Sequence, residues 1–165
     1  MNTNTNTDTT PASFPHTVLH GIAFVNLTPH PLVFRDENGE DHSIPPSGQV
    51  ARIRMYTTPA FETWYGSLFT ASTPFRPEGL VEFGEWAAAH YATTGQQVMG
   101  VVSSMFLDAV ASAGPEHETW VKCLCSPQTD GTAIRNENGH IVAVRSFRVM
   151  DWAEQEFNGP GIGGN

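Results

Sequence analysis

Residues 97–125, QVMGVVSSMFLDAVASAGPEHETWVKCLC, determine the fold class that the sequence predicts. The apolar run at 97–103 predicts a buried strand, residues 104–113 predict a short helix that stops at Gly114-Pro115, and residues 120–125 predict a second strand. A strand, a helix and a strand in that order usually form a crossover whose two strands are parallel. The stretch therefore predicts an α/β (α+β) fold.

Two predicted β-hairpins flank this unit, at residues 31–44 and 132–148. Each has an Asn-Gly pair, Asn38-Gly39 or Asn138-Gly139, between strand-like runs, and this pair is a strong hairpin signal because both residues tolerate positive φ. The two turns share most of their residues. Turn chemistry alone selects such residues, and a duplicated unit is the alternative.

The other predicted elements are strands at 21–27 and 49–55 and a helix at 78–91 that Gly95 stops. Residues 57–77 are rich in aromatic side chains but show no clear period, so they are predicted to be irregular. The expected fold is a small mixed sheet built from two β-hairpins and one βαβ unit, with two to three helices.

A chain of 165 residues is long enough for one domain. Residues 1–15 are rich in Asn and Thr and are predicted to be a disordered tail, and residues 158–165 a flexible Gly-rich tail. Between them, residues 16–157 form the predicted single α/β domain. Asp151 and Glu154 resemble a capping box and predict a short third helix.

Composition excludes several classes of protein. The net charge is −9 and no Lys/Arg cluster occurs, which argues against a nucleic-acid partner. No apolar stretch is long enough to cross a bilayer, and no basic amphipathic helix would bind its surface. Two cysteines cannot form a disulfide scaffold, and the N-terminus lacks the features of a secretory signal. These observations favour a cytoplasmic protein without a cofactor.

Asn26-Leu27-Thr28-Pro29-His30 is the most distinctive phrase in the chain. Its polar side chains lie at a predicted strand end, where they could contact a ligand in a pocket. The alternative is local: Asn26 and Thr28 satisfy nearby backbone groups in a turn.

Ser103 and Ser104 lie where a predicted parallel strand leads into a helix. Ligands bind outside the carboxyl ends of such strands, and a helix N-terminus favours anions. The alternative is that one of the serines caps the helix. A nucleophilic serine would require a G-x-S-x-G turn, which residues 101–105 do not provide.

Three arginines, Arg52, Arg135 and Arg145, lie on predicted strands. They are expected on the solvent face or paired with carboxylates. If two of them converged near Asn26, Thr28 and Ser103, they would form a site for a phosphate-bearing ligand. Cys123 and Cys125 are expected to be structural thiols on one face of a strand. The seven histidines lack the spacing of a helix-borne metal site, so no metal site is predicted.

Six short motifs also occur together: Asn26 to His30, Pro45 to Gly48, Ala51-Arg52, Val101 to Ser103, Arg135 to Gly139 and Val144-Arg145. This combination resembles a family of small uncharacterised proteins common in bacteriophages and bacterial genomes. The resemblance covers about residues 22–149, and the segment at 57–96 is longer than in that family. The resemblance supports the predicted α/β fold and implies a phage origin. The family has no settled activity, so the resemblance implies none for this chain.

Three functions are therefore considered. The first is a small-ligand binding protein that could assemble as a homo-oligomer. If the family resemblance holds, it would be a phage protein that sequesters a nucleotide-derived host signal in the host cytoplasm. The second is a protein-interaction module that binds a host or virion protein through the aromatic segment 57–75. The third is an enzyme with His30 as a general base beside a carboxylate such as Asp130. The predicted ligand-binding residues are Asn26, Thr28, His30, Arg52, Ser103, Ser104, Arg135 and Arg145.

Overall fold

The computed structural model of the chain describes residues 13–59, 70–112 and 122–150, and for residues 54–59 and 70–78 it describes the backbone. In chain order the elements are β1 (Thr17–Leu19), β2 (Ile22–Asn26), β3 (Leu32–Arg35), β4 (Asp41–Ile44), β5 (Arg52–Pro59), β6 (Thr70–Glu78), α1 (Val81–Thr94), β7 (Val98–Val101), α2 (Ser104–Ser112), β8 (Leu124–Pro127), β9 (Ile134–Arg135), β10 (Ile141–Ala143) and β11 (Phe147–Arg148).

The central sheet has the strand order β1-β2-β7-β8-β11. Strands β2, β7 and β8 are parallel, while β1 and β11 pair antiparallel at the two edges. The unit β7–α2–β8 is the parallel crossover that the sequence predicts. The mixed sheet with its two helices confirms the α+β fold class.

One face of the sheet packs against both helices. The core here contains Val25 from β2, Phe83 from α1, Phe106 and Leu107 from α2, and Leu124 from β8, all at most 1% exposed. Helix α1 ends at Gly95, whose φ of 69° is left-handed and whose N–H donates to the carbonyl of Tyr91. The sequence predicts that Gly95 ends this helix, and the structure confirms it.

The opposite face of the sheet is covered by a β layer. Met99 and Cys125 are buried there against partly buried aromatic residues. Phe147 stacks on Phe24 at 5.1 Å and on Phe34 of β3 at 5.8 Å between ring centroids. The hairpin β3–β4 and the hairpin β9–β10 meet through a parallel bridge between Phe34 and Val144. The two predicted hairpins therefore form this covering layer instead of joining the central sheet.

In the segment predicted to be irregular, 57–77, the described residues 57–59 and 70–77 are β structure, so the prediction was wrong for them. Strand β5 extends to Pro59 and pairs antiparallel with β6, with an irregularity in register between Arg54 and Met55. Pro74 and Pro77 lie in β6, and prolines are read from sequence as strand breakers, although edge strands tolerate them. Their presence and the missing alternation concealed the strand.

The bounds of the strands near the C-terminal end of the described chain also differ from the prediction. Strand β8 begins at Leu124, four residues after the predicted start, and Cys123 lies in the preceding turn. The run from His140 to Arg148 was predicted as one strand, but it bends at Arg145-Ser146, and β11 leaves the hairpin to pair with β8. This change of partner is a non-local contact that a local pattern does not contain.

Most of the predicted N-terminal tail and all of the predicted C-terminal tail, residues 158–165, lie outside the described residues. The helix predicted at Asp151 also lies outside them. Phe14, which falls within the predicted N-terminal tail, is 3% exposed and packs edge-on against Phe83 and beside Trp86. In the described part of the chain, neither helix combines the length and the apolar character that crossing a bilayer requires.

Candidate functional site

The carboxyl ends of β2, β7 and β8 lie at one edge of the sheet because the three strands are parallel. In register, Asn26 of β2 is opposite Val101 of β7, and Val101 is opposite Cys125 of β8. The turn that contains Thr28 and the helix start at Ser103 therefore both begin at this edge. This is the edge at which open α/β sheets generally bind ligands.

Asn26 is fully buried, and its amide is completely used by the protein. The two N–H groups of Nδ2 donate to the carbonyls of His30 at 2.8 Å and Ile44 at 3.0 Å. Its Oδ1 accepts from the backbone N–H of Thr28 at 2.9 Å and from the Thr28 hydroxyl at 2.7 Å. An amide has two donors and two acceptor positions, so none remains for a ligand. These bonds give Asn26 a structural role in the turn, and its ligand contact stays a prediction.

The same turn uses the hydroxyl of Thr28, which contacts Asn26 Oδ1 and lies 3.1 Å from the His30 carbonyl oxygen. The imidazole of His30 is exposed and makes no hydrogen bond to another described side chain. Arg52 is also exposed and begins β5 directly after Ala51, whose N–H donates to the carbonyl of Leu27 at 2.9 Å. His30 and Arg52 are thus exposed polar residues in the segments that adjoin the end of β2.

Ser103 caps helix α2, because its Oγ accepts from the N–H of Phe106 at 3.2 Å. The N–H groups of Ser104 and Met105, in the first turn, have no hydrogen-bond partner among the described residues. Such N–H groups are orphans at every helix start, and they favour an anion. The Ser104 hydroxyl lies 3.4 Å from Oγ of Ser126, which is fully buried.

Arg148 is a polar residue near this edge that sequence reasoning missed. Its Nη2 donates to Asp108 Oδ1 at 2.7 Å and lies 3.4 Å from the carbonyl oxygen of Ser104. The pair fastens β11 to α2 across the surface. Its only sequence signal is a basic residue in the last strand-like run, and that signal does not identify a partner.

The remaining two arginines differ in position. Arg135 donates to the carbonyls of Gly139 at 2.8 Å and Thr129 at 3.3 Å, so it closes its own hairpin and does not join the site. Arg145 is exposed in the bend before β11, next to Ser146, whose carbonyl accepts from the N–H of Gln128. It lies beside the end of β8, at the margin of the edge. The hydrogen bonds of Arg135 therefore hold it within its own hairpin.

Asp130, the carboxylate considered as a partner for His30, is used in a turn. It accepts from Gln128 Nε2 at 2.6 Å and from both the N–H and the hydroxyl of Thr132 at 3.0 and 2.8 Å. The backbone hydrogen bond of Thr132, with the side-chain bonds of Gln128 and Thr132, lowers the pKa of Asp130. Within the described residues, no hydrogen bond joins Asp130 to His30.

The two cysteines are free thiols on opposite faces of the sheet, not on one face as predicted. Cys123 packs beside the core shared with the helices, whereas Cys125 belongs to the core under the β layer. Because Cys123 lies in a turn, the alternation of a strand does not apply to it. Burial raises the pKa of both thiols, most strongly for the fully buried Cys125.

We expect Cys125 to resist alkylation in the native protein, because the thiolate is the reactive form and burial disfavours it. In a Cys123→Ala variant, labelling by iodoacetamide at pH 8 should be slower by on the order of a hundredfold or more than in denaturant. Mass spectrometry of labelled samples measures this rate. Equal rates in native and denatured protein would contradict the burial of Cys125.

A second polar cluster, which the sequence did not predict as a site, lies at the turn between β3 and β4. One ligand atom each from Asp36, Glu40 and His42 lies within 4.8 Å of the others. The His42 hydrogen bond, together with backbone N–H groups, lowers the pKa of Asp36. The hairpin itself was predicted, so the spacing Asp-x-x-x-Glu-x-His around its turn was the available signal. This spacing belongs to a hairpin and differs from that of a helix-borne metal site.

No protein-family model, curated protein or solved structure shows detectable similarity to the chain. Function is therefore inferred from the chain's own residues.

Proposed function

We propose that the protein binds a small anionic ligand, such as a phosphate-bearing molecule, at the carboxyl-edge site. We define this site by His30 and Arg52 on one side, Ser103 and Ser104 on the other, and the Thr28 turn between them. The observation that carries the proposal is the parallel pairing of β2 with β7, which brings the end of β2 at Asn26 beside the end of β7 at Val101. The His30 turn follows the first of these strand ends, and helix α2 follows the second.

The chemistry of the site fits an anion. The N–H groups of Ser104 and Met105 and the positive end of the α2 dipole supply fixed donors. Arg52 supplies a permanent positive charge, and the exposed His30 ring supplies a donor. The Asn26 side chain donates to the backbone carbonyl of His30. This bond holds the turn in place before a ligand arrives, so the turn is preorganised.

Within this ligand class, the resemblance to phage proteins favours a nucleotide-derived host signal, which the protein would sequester in the host cytoplasm as a monomer or a homo-oligomer. No catalytic step is needed for that role. The interaction-module alternative depends on aromatic side chains in segment 57–75. Those side chains lie outside the described residues, so that alternative stays a prediction.

Native mass spectrometry of protein purified from bacteria without denaturation tests the proposal. We expect a species that carries an additional mass of a few hundred daltons, which is released on denaturation and identifies the ligand. The same spectrum gives the oligomeric state. Protein that stays free of ligand, even after incubation with cyclic and linear nucleotides, would contradict the proposal.

A substitution at Ser104 separates binding from folding. Ser104→Glu places a negative charge in the first turn of α2, which favours the helix but repels an anionic ligand. We expect affinity to fall by at least about tenfold, which is about 1.4 kcal/mol. Thermal stability should equal or exceed that of Ser104→Gln, which also removes the hydroxyl that bonds the buried Ser126. Isothermal titration with the identified nucleotide measures the affinity.

Two control variants accompany it. Ser104→Gln has a similar size without the charge and should bind within about threefold of wild type. Arg135→Ala removes a positive charge of the hairpin, away from the site, and should also bind normally. Equal affinity for Ser104→Glu and Ser104→Gln would place the ligand elsewhere.

A further inference from the structure

The turn cluster of Asp36, Glu40 and His42 is already close to a metal-binding arrangement. His42 Nε2 lies 3.1 Å from Asp36 Oδ2, and ligand atoms of one tetrahedral Zn²⁺ are about 3.4 Å apart, given bonds of about 2.1 Å. The third ligand atom, from Glu40, is within 4.8 Å of the other two. Glu40 is exposed, so a side-chain rotation can bring its carboxylate closer.

The second hairpin shows that the turn itself does not require a charged residue at position 36. Asp36 Oδ1 accepts from the N–H groups of Asn38 and Glu40 at 2.9 and 2.8 Å. In the other hairpin, Asn136 Oδ1 makes the same two bonds, to the N–H groups two and four residues later, both at 3.0 Å. Asparagine is thus sufficient for the turn. The additional carboxylate oxygen of Asp36 is instead directed at His42.

Among the described residues, no lysine or arginine side chain contacts the carboxylates of Asp36 and Glu40. The Asp36 side chain is only 10% exposed, yet its second oxygen has no partner outside the cluster among the described residues. The nearby Arg35 does not neutralise it, because Arg35 forms a two-bond pair with Asp41 at 2.6 and 2.7 Å. A largely buried carboxylate that faces a second carboxylate and an imidazole is an arrangement that a divalent cation stabilises.

We propose that Asp36, Glu40 and His42 bind a divalent first-row metal ion, with Zn²⁺ as the probe. One imidazole nitrogen and two carboxylate oxygens suit Zn²⁺ or Mn²⁺ better than Ca²⁺, which takes six to eight oxygen ligands. The two backbone N–H groups on Asp36 Oδ1 orient that carboxylate, as partners of metal ligands commonly do. Three protein ligands leave a coordination position open to water or another small ligand. The site lies at the β3–β4 turn and is independent of the carboxyl-edge site.

The test is a titration of the full-length chain with Zn²⁺, followed by calorimetry and by the NMR signals of the His42 ring. Wild-type protein should bind one ion at this site, with the His42 ring signals shifted. Asp36→Asn should weaken binding at this site by at least about tenfold, because it removes a ligand but keeps the acceptor that the turn uses. The hairpin geometry around Asn136 indicates that this variant folds, and circular dichroism checks it.

Asp41→Asn is the matched control, since it removes the same charge from the same hairpin without removing a ligand. Its affinity should stay within about threefold of wild type. His42→Asn is the second ligand variant and should also lose binding. Unshifted His42 signals at millimolar Zn²⁺, or equal binding by wild type and Asp36→Asn, would overturn the proposal.

Discussion

Replacing Asn26 by aspartate is expected to lower the free energy of unfolding by about 3–5 kcal/mol, although the two side chains have nearly the same shape. The carboxylate cannot donate to the carbonyls of His30 and Ile44, which are 2.8 and 3.0 Å from Nδ2. Three oxygens would then face one another in a fully buried position. Urea unfolding followed by tryptophan fluorescence measures the change.

Asn136→Asp is the control for this prediction because it makes the same chemical change in an exposed turn. There the protein uses only the side-chain oxygen, which accepts from the N–H groups of Asn138 and His140. Aspartate retains that oxygen, so stability should change by less than about 0.5 kcal/mol. If both variants lost a similar amount of unfolding free energy, the N–H groups of Asn26 Nδ2 would not be what stabilises the turn.

Gly100→Val is expected to destabilise the protein by about 3 kcal/mol or to prevent folding. A Cβ at Gly100 would lie 2.8 Å from Cζ of Phe83 and 3.0 Å from Cδ2 of Leu124. Both side chains are 1% exposed, and because protein interiors are closely packed, displacing them costs free energy. Strand propensity alone favours valine over glycine in β7 and would predict a more stable protein. The steric overlap predicts a less stable one, so the sign of the measured change decides between the two effects.

Gly131→Val is the matched substitution for Gly100→Val. Nothing lies within 4 Å of a Cβ at Gly131, and its φ is not in the left-handed region. Its effect should stay within about 0.5 kcal/mol. The midpoint of urea unfolding compares the two variants. A stabilised Gly100→Val protein would contradict the close approach of α1 to β7.

Local signals account for the parts of the fold that the sequence predicts. Asn-Gly turns need positive φ at glycine, and Gly39 and Gly139 have φ values of 85° and 79°. The run at 97–113 contains both the buried strand and the helix of the crossover. These features depend on residues that are adjacent in the chain, so a pattern can identify them.

Pairing between distant residues accounts for the parts that were missed. Strand β11 pairs with β8 across about twenty residues, and β6 has two prolines that obscure its strand character. The candidate sites follow the same rule. The Asn26 to His30 phrase was identified as distinctive, but only its contact with Ile44 shows that Asn26 is buried and structural.

Polar side chains that meet across a hairpin are similarly difficult to recognise. His42 and Asp36 are six residues apart and come together because β3 and β4 pair, with Phe34 opposite His42. Arg135 is the converse case: its position on a strand suggested a ligand contact, but its side chain donates to the carbonyls of Gly139 in its own turn and of Thr129. Side-chain type suggests a site, and the pairing of strands determines whether it forms.

The carboxyl-edge site is tested most directly by a titration of ¹⁵N-labelled protein with inorganic phosphate, followed through the backbone amide signals. We predict saturable shifts that are largest for Ser104 and Met105, whose N–H groups have no partner among the described residues, and present in the turn at Thr28. Ser104→Glu should abolish them. Shifts that do not saturate, or that occur only away from these two segments, would contradict the account.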